Sequence, residues 1–143
     1  MEWKIERTRG ADLDMAEVLQ VYRSSGLDSR RPVADLEFFT AMVQNANLVL
    51  ICRVDGELAG IARSISDFSY VTYLSDLAVA LEHQRSGIGR ALIEATRLEV
   101  PRAKIVLLSA PAATTYYPHI GFTRHGSAWV LNPAGDNKEA GGE

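Results

Sequence analysis

Leu74-Ser-Asp-Leu-Ala-Val-Ala-Leu-Glu-His-Gln-Arg-Ser-Gly-Ile-Gly-Arg-Ala-Leu-Ile93 is the stretch on which the reading of this chain turns. A strand over Thr72 to Ala80 runs through Leu81-Glu82-His83 into Gln84-Arg85-Ser86-Gly87-Ile88-Gly89, and a helix begins at once. The first turn of a helix holds backbone N–H groups without intrahelical partners, and the helix dipole adds partial positive charge there. Glycines let the backbone adopt positive φ and approach a ligand closely. Together these make an anion site suited to a pyrophosphate, and Arg85 and Arg90 can add charge-assisted contacts. A tight strand-to-helix turn with no ligand would use the same glycines, so spacing alone leaves both readings open. A P-loop would need Gly-Lys-Ser/Thr to follow, and a dinucleotide fold would want its glycines after the first strand. Both fail here.

Working outward, Trp3 to Arg7 alternates like a half-buried strand. Asp12 to Tyr22 sets Met15, Val18, Leu19 and Tyr22 on one helical face, with Asp12 as the expected cap. A Gly-, Ser- and Pro-containing loop follows, then a second helix over Val33 to Asn45 with Leu36, Phe39 and Val43 in a stripe. Leu48 to Arg53 and Glu57 to Ser64 read as strands around the hairpin signal Val54-Asp55-Gly56. After the glycine loop, Ile88, Ala91, Leu92, Ala95 and Leu98 define the third helix, stopped near Pro101. Ile105 to Ser109 is a nearly all-apolar strand, expected to be covered on both faces. A short helix over Ala112 to His119 and one or two strands over Phe122 to Leu131 close the series. The order predicts an α/β (α+β) domain with a mixed sheet and helices on its faces.

The 143 residues suffice for one domain with a core, and 47% hydrophobic with 23% charged residues is a globular balance. A net charge of −3 gives no general grip on nucleic acid, and no apolar run approaches the roughly 20 residues needed to span a bilayer. The expected location is cytoplasmic. Cys52, the single cysteine, lies in the apolar run Leu48 to Cys52 and reads as core. His83, His119 and His125 are scattered, so no metal site is expected. The domain is expected over residues 1–131, and 132–143, rich in Gly and charge, as a flexible tail.

Three features in order resemble the GNAT superfamily of acyl-CoA N-acyltransferases. Leu74 to Val79 resembles the family's fourth strand. Gln84-Arg-Ser-Gly-Ile-Gly89 matches its Gln/Arg-x-x-Gly-x-Gly/Ala pyrophosphate loop. Tyr116-Tyr-Pro-His-Ile-Gly-Phe122 resembles its C-terminal Phe-Tyr-x-x-x-Gly-Phe signature. The resemblance implies a mostly antiparallel sheet splayed between strands 4 and 5, acetyl-CoA as cosubstrate, and a primary-amine acceptor. It also implies that the pantetheine arm bonds the backbone of Leu77, Ala78 and Val79. The loop Gln84, Arg85, Ser86, Gly87, Ile88, Gly89 and Arg90 would then hold the diphosphate. Tyr117, four residues before Gly121, would protonate the departing thiolate. Family members frequently dimerise, so a homodimer is one expectation. A catalytically silent acyl-CoA-binding module is the alternative function.

The chemistry agrees with these roles. A thiol of pKa about 8.5 leaves as a thiolate that a phenol can protonate or hydrogen-bond. The attacking amine, of pKa about 10.4, must lose a proton, and a strand amide can receive the oxyanion. Asp76 is the only carboxylate within Thr72 to Ala80, which makes it a candidate base or amine-binding group. It reads equally as a group turned away to bond backbone, because alternation leaves its face open if a bulge intervenes. Arg30 and Arg31 read as a solvated loop pair or as attraction for an acidic substrate. Asp67, Phe68 and Tyr70 are candidates to line the same pocket.

Overall fold

A computed structural model describes residues 2–135, which divide into two compact units, one ending at Leu107 and one beginning at Leu108. The tail expected from Asn132 lies, from residue 136 on, outside the described residues. The first unit contains β1 (Trp3–Thr8), α1 (Met15–Ser25), α2 (Leu36–Gln44), β2 (Leu48–Val54), β3 (Glu57–Ser66), β4 (Val71–Val79), α3 (Ile88–Glu99) and β5 (Lys104–Val106). Its strands lie in the order β1-β2-β3-β4-β5, antiparallel except for the parallel pair β4–β5. That is the mixed, mostly antiparallel sheet expected from the sequence. β4 meets β5 only over Val71 to Tyr73, so from Leu74 onward that edge of β4 has no strand beside it within this unit.

Helices cover both faces. On one, α1 and α2 insert Val18, Val21, Tyr22, Phe39 and Val43 against Val49, Ile51, Ile61 and Ala78. Tyr22 and Phe39 meet edge to face with ring centroids 4.9 Å apart. Each large side chain so buried stabilises the fold by about 1.5–3 kcal/mol before entropy is counted. On the other face, α3 lies on Gly60 of β3, where a Cβ would stand 3.1 Å from Leu92 Cδ1 and 3.2 Å from Ile88 Cγ2. Cys52 is fully buried, as its apolar run implies.

Several boundaries differ from the sequence expectation, each for a local reason. α1 is capped by Asp14, which accepts from Ala16 N at 2.9 Å, while Asp12 sits in a preceding 3-10 turn. α2 starts only after Asp35, whose carboxylate accepts from Phe38 N at 3.1 Å and so excludes Val33 and Ala34. The buried face of α3 runs through Ile88, Leu92, Ile93 and Thr96, whereas Leu98 is 77% exposed. Thr96 can occupy that face because its hydroxyl is satisfied by Leu92 O at 2.8 Å. β5 is three residues long with its end residues exposed, not covered on both faces, because it is an edge strand paired over a single short stretch.

The second unit holds a 3-10 turn (Pro111–Ala113) and α4 (Tyr116–His119). No strand forms over Phe122 to Leu131 among the described residues, and Trp129 there is 93% exposed. Apolar alternation makes a strand only when it pairs with a neighbouring strand.

Candidate functional site

β4 carries two polar sites of opposite character. At its C-terminal end the chain leaves the sheet through Ala80, whose N–H still donates to Ala59 O at 2.8 Å, and turns in a 3-10 bend over Leu81–His83. Leu81 N donates to Ser24 Oγ at 2.8 Å, tying the bend to the end of α1. Gln84 Nε2 donates back to Val79 O at 2.9 Å and Ser86 Oγ to His83 O at 2.5 Å, so both side chains brace the loop. Arg85 takes φ +63°, and Gly87 takes φ +89°, ψ 0° as the residue before α3. The first helical hydrogen bond runs from Ala91 N to Gly87 O at 3.0 Å. Among the described residues, the six amides from Arg85 to Arg90 make no hydrogen bond at all. Arg85 and Arg90 are exposed and make no ion pair among the described residues, whereas Glu82 faces solvent. The loop is an uncompensated set of N–H dipoles at a helix mouth, flanked by two cations. Such a set binds anions.

Mid-strand, the arrangement is the reverse. Arg63 pairs with Asp76 but Ser64 pairs with Leu74, so Ser75 is the extra residue of a β-bulge. The bulge decides what alternation left open. It brings Ser75 and Asp76 to the α1 side together, where Ser75 Oγ lies 3.2 Å from Asp76 Oδ1. Asp76 is 1% exposed. Its Oδ1 accepts from Arg31 Nε at 2.6 Å, and its Oδ2 accepts from Arg63 Nε at 2.6 Å and Tyr22 OH at 2.5 Å. Arg31 also donates to Ser75 O at 2.8 Å, and Arg63 to Ser75 Oγ at 2.8 Å and Met42 O at 3.0 Å. Burial alone would raise the Asp76 pKa, but the Arg63 charge and then that of Arg31 outweigh it and hold the carboxyl below its ordinary range. Burial, reinforced by Asp76, pushes the Tyr22 phenol well up. Burial pulls Arg63 down, yet Asp76 prevails and raises it.

The carboxylate offered by the sequence as a base therefore has both oxygens engaged by cations and hydroxyls. Taking a proton would forfeit two close ion pairs. Arg31, read from the sequence either as part of a solvated pair or as attraction for an acidic substrate, has a side chain only 10% exposed and clamps the α1–α2 loop to the strand bulge. Asp67 is likewise occupied elsewhere: its Oδ1 accepts from the amides of Ser69, Tyr70 and Val71, which lowers its pKa and closes the β3–β4 turn. Tyr70 lies beneath Lys104 Nζ, 4.7 Å from the ring centroid.

In the second unit, α4 is followed by Gly121, whose φ of +104° turns the chain so that Phe122 N reaches Tyr117 O at 3.0 Å. The Phe122 ring then meets Tyr117 edge to face at 5.4 Å, and Tyr116 flanks it at 5.2 Å. That contact explains why a glycine and a phenylalanine follow the tyrosine at this spacing. Burial, with a smaller contribution from Tyr116, raises the Tyr117 pKa, so its phenol is protonated at neutral pH.

Residues 18–132, spanning parts of both units, match the family model for the acetyltransferase (GNAT) domain. The chain belongs to the GNAT acetyltransferase family. Solved GNAT structures share its fold. A GNAT-family protein of Xanthomonas campestris pv. campestris is 24% identical, with 87% of each chain covered and a TM-score of 0.71. An aminoglycoside acetyltransferase from an uncultured soil metagenomic sample, in complex with trehalose, is 21% identical over 92% of this chain and 95% of its own, at TM-score 0.69. An aminoglycoside N-acetyltransferase in complex with CoA is 15% identical over 93% and 95%, at TM-score 0.69. No curated protein matches in sequence.

Within this GNAT chain, the residues that sequence reasoning missed are Arg63 and Tyr22, together with the role of Arg31. One signal was present. An arginine inside the otherwise apolar and small run Ile61 to Ile65 of a central strand demands a buried anion, and Asp76 is the strand carboxylate available.

Proposed function

We propose that this GNAT protein transfers an acetyl group from acetyl-CoA to a primary amine by direct attack in a ternary complex. The observation that carries the reading is the run of six unpartnered amides, Arg85 to Arg90, at the mouth of α3. A diphosphate supplies the acceptors those amides lack, and Arg85 and Arg90 add charge. The open edge of β4 from Leu74 to Val79 offers backbone groups for the amide-bearing pantetheine arm, in the manner of an added strand. A CoA complex of one structural relative, and the aminoglycoside acceptors named for two of them, support a CoA donor and an amine acceptor.

In the reaction the neutral amine nitrogen bonds to the thioester carbonyl carbon, and the carbonyl oxygen takes the negative charge. Amides beside the Ser75 bulge are the donors offered to that oxyanion. Collapse breaks the C–S bond, and the sulfur leaves with the electron pair and accepts the Tyr117 proton. The amine releases its proton to solvent, from which Tyr117 is recharged. Asp76 serves as an anchor in this scheme: it holds Arg31, Arg63 and the bulge in register, and it does not take the amine's proton.

Titration calorimetry with acetyl-CoA, followed by thiol release against a panel of primary amines, tests the proposal. Saturable binding with amine-dependent release is expected. No binding at millimolar acetyl-CoA removes the loop assignment, and binding without release against any amine leaves the silent acyl-CoA module.

A further inference from the structure

A groove of about 720 Å³ runs along the flank of α2, within the first unit and apart from the phosphate loop. Phe39 and Val43 turn inward to the core, but Phe38, 59% exposed, and Met42 line the groove opposite Ile65 of β3, 52% exposed. Apolar area left facing apolar area across a gap gains free energy when a ligand body fills it. The two ends differ in charge. Asp35 and Glu37 stand at the N-terminal end of α2, with no cation within ion-pairing distance among the described residues. At the other end the wall is Arg63, whose charge is already matched by Asp76 at 2.6 Å and which reaches the β4 bulge through Ser75. Arg63 also donates to Met42 O. Seven residues separate Asp35 from Met42, which is about 10 Å along a helix axis.

Resting on the acetyltransferase reading, we propose that this groove is the acceptor site and selects long, apolar-bodied diamines. One nitrogen lies at the Arg63 end, beside the bulge, and is acetylated. The other stays protonated and is held by Asp35 and Glu37. An acidic acceptor is disfavoured, because a distal carboxylate would meet two carboxylates instead of a cation.

Three acceptors of one length differ only at the far end: diaminooctane, octylamine and aminooctanoic acid. Wild-type protein is expected to show KM rising in that order, with the diamine favoured over the monoamine about fivefold, the size of one exposed ion pair. Glu37→Lys should erase or invert the ranking, the effect falling on KM. Asp35 is left intact because it caps α2. Phe38→Ser should raise KM for all three alike, since it removes the shared apolar wall. Acetyl-CoA affinity, measured by calorimetry, should equal wild type in both variants. A ranking unchanged in Glu37→Lys, a preference for aminooctanoic acid, or no turnover of any of the three by protein that binds acetyl-CoA overturns the groove assignment and leaves the coenzyme reading standing. Absence of acetyl-CoA binding in the wild type instead overturns that reading, and the groove assignment with it.

Discussion

The bulge in β4 and the loop that follows the strand handle polar groups in opposite ways. Around the Ser75 bulge every charged atom has found a counterpart: Asp76 serves two arginines and a tyrosine, and those arginines reach on to Ser75 and Met42. A few residues on, Arg85 to Arg90 present amides that bond to nothing among the described residues. Burial forces the first outcome, since an unmatched charge there would cost several kcal/mol. Exposure permits the second, because water satisfies those amides until a ligand replaces it. The lesson is that the dense hydrogen-bond cluster is the more conspicuous feature, while the bare loop is the part we propose to bind.

The sharpest way to break that contrast is Gly87→Glu. It places bulk and negative charge where the anion would sit, and acetyl-CoA binding should fall below detection by calorimetry while the far-ultraviolet circular dichroism stays native. Retained affinity would contradict the loop assignment. Next is Asp76→Ala, which strands two buried guanidiniums and should cost about 3–5 kcal/mol in urea denaturation. The same residue sets an acid limit. Its folded pKa lies below the unfolded value of about 3.9, so its contribution is complete above that pH and fades as pH drops through the folded value. In the Ala variant this part of the acid dependence should vanish. Tyr117→Phe should lower kcat about a hundredfold with acetyl-CoA affinity intact, and an unchanged kcat would remove the proton-donor role. The smallest effect is expected for Gly87→Ala. No atom lies within 4 Å of the added Cβ, so only the left-handed backbone is strained, by about 1–2 kcal/mol in stability.

The loop was legible in the sequence because its physics is local: two glycines, a strand before and a helix after determine where the amides point. The element order was legible for the same reason, from periodicity and the Asp55-Gly56 turn, through which Val54 pairs with Glu57. The surroundings of Asp76 were not. They depend on a register shift against β3, and which face a strand residue occupies flips with one inserted residue, a fact of pairing that neither strand contains alone. Leu98 misled for a related reason. Hydrophobicity favoured it over Thr96, but a hydroxyl that bonds its own helix can be buried at little cost. Phe122 to Leu131 has the composition of a strand and forms none among the described residues, because pairing requires a neighbour as well as a pattern.

Gly60 offers the chain a quieter form of control. Directly above its missing side chain sits Ile88, the residue that opens α3, so the depth at which the helix seats is set by a hydrogen atom on the sheet below. An alanine there would make Leu92 and Ile88 give way by a few tenths of an ångström, and through Ile88 that strain reaches the first turn of α3. Under the proposed function, the seating of the loop would thus be tuned from underneath, at a position outside the proposed coenzyme site.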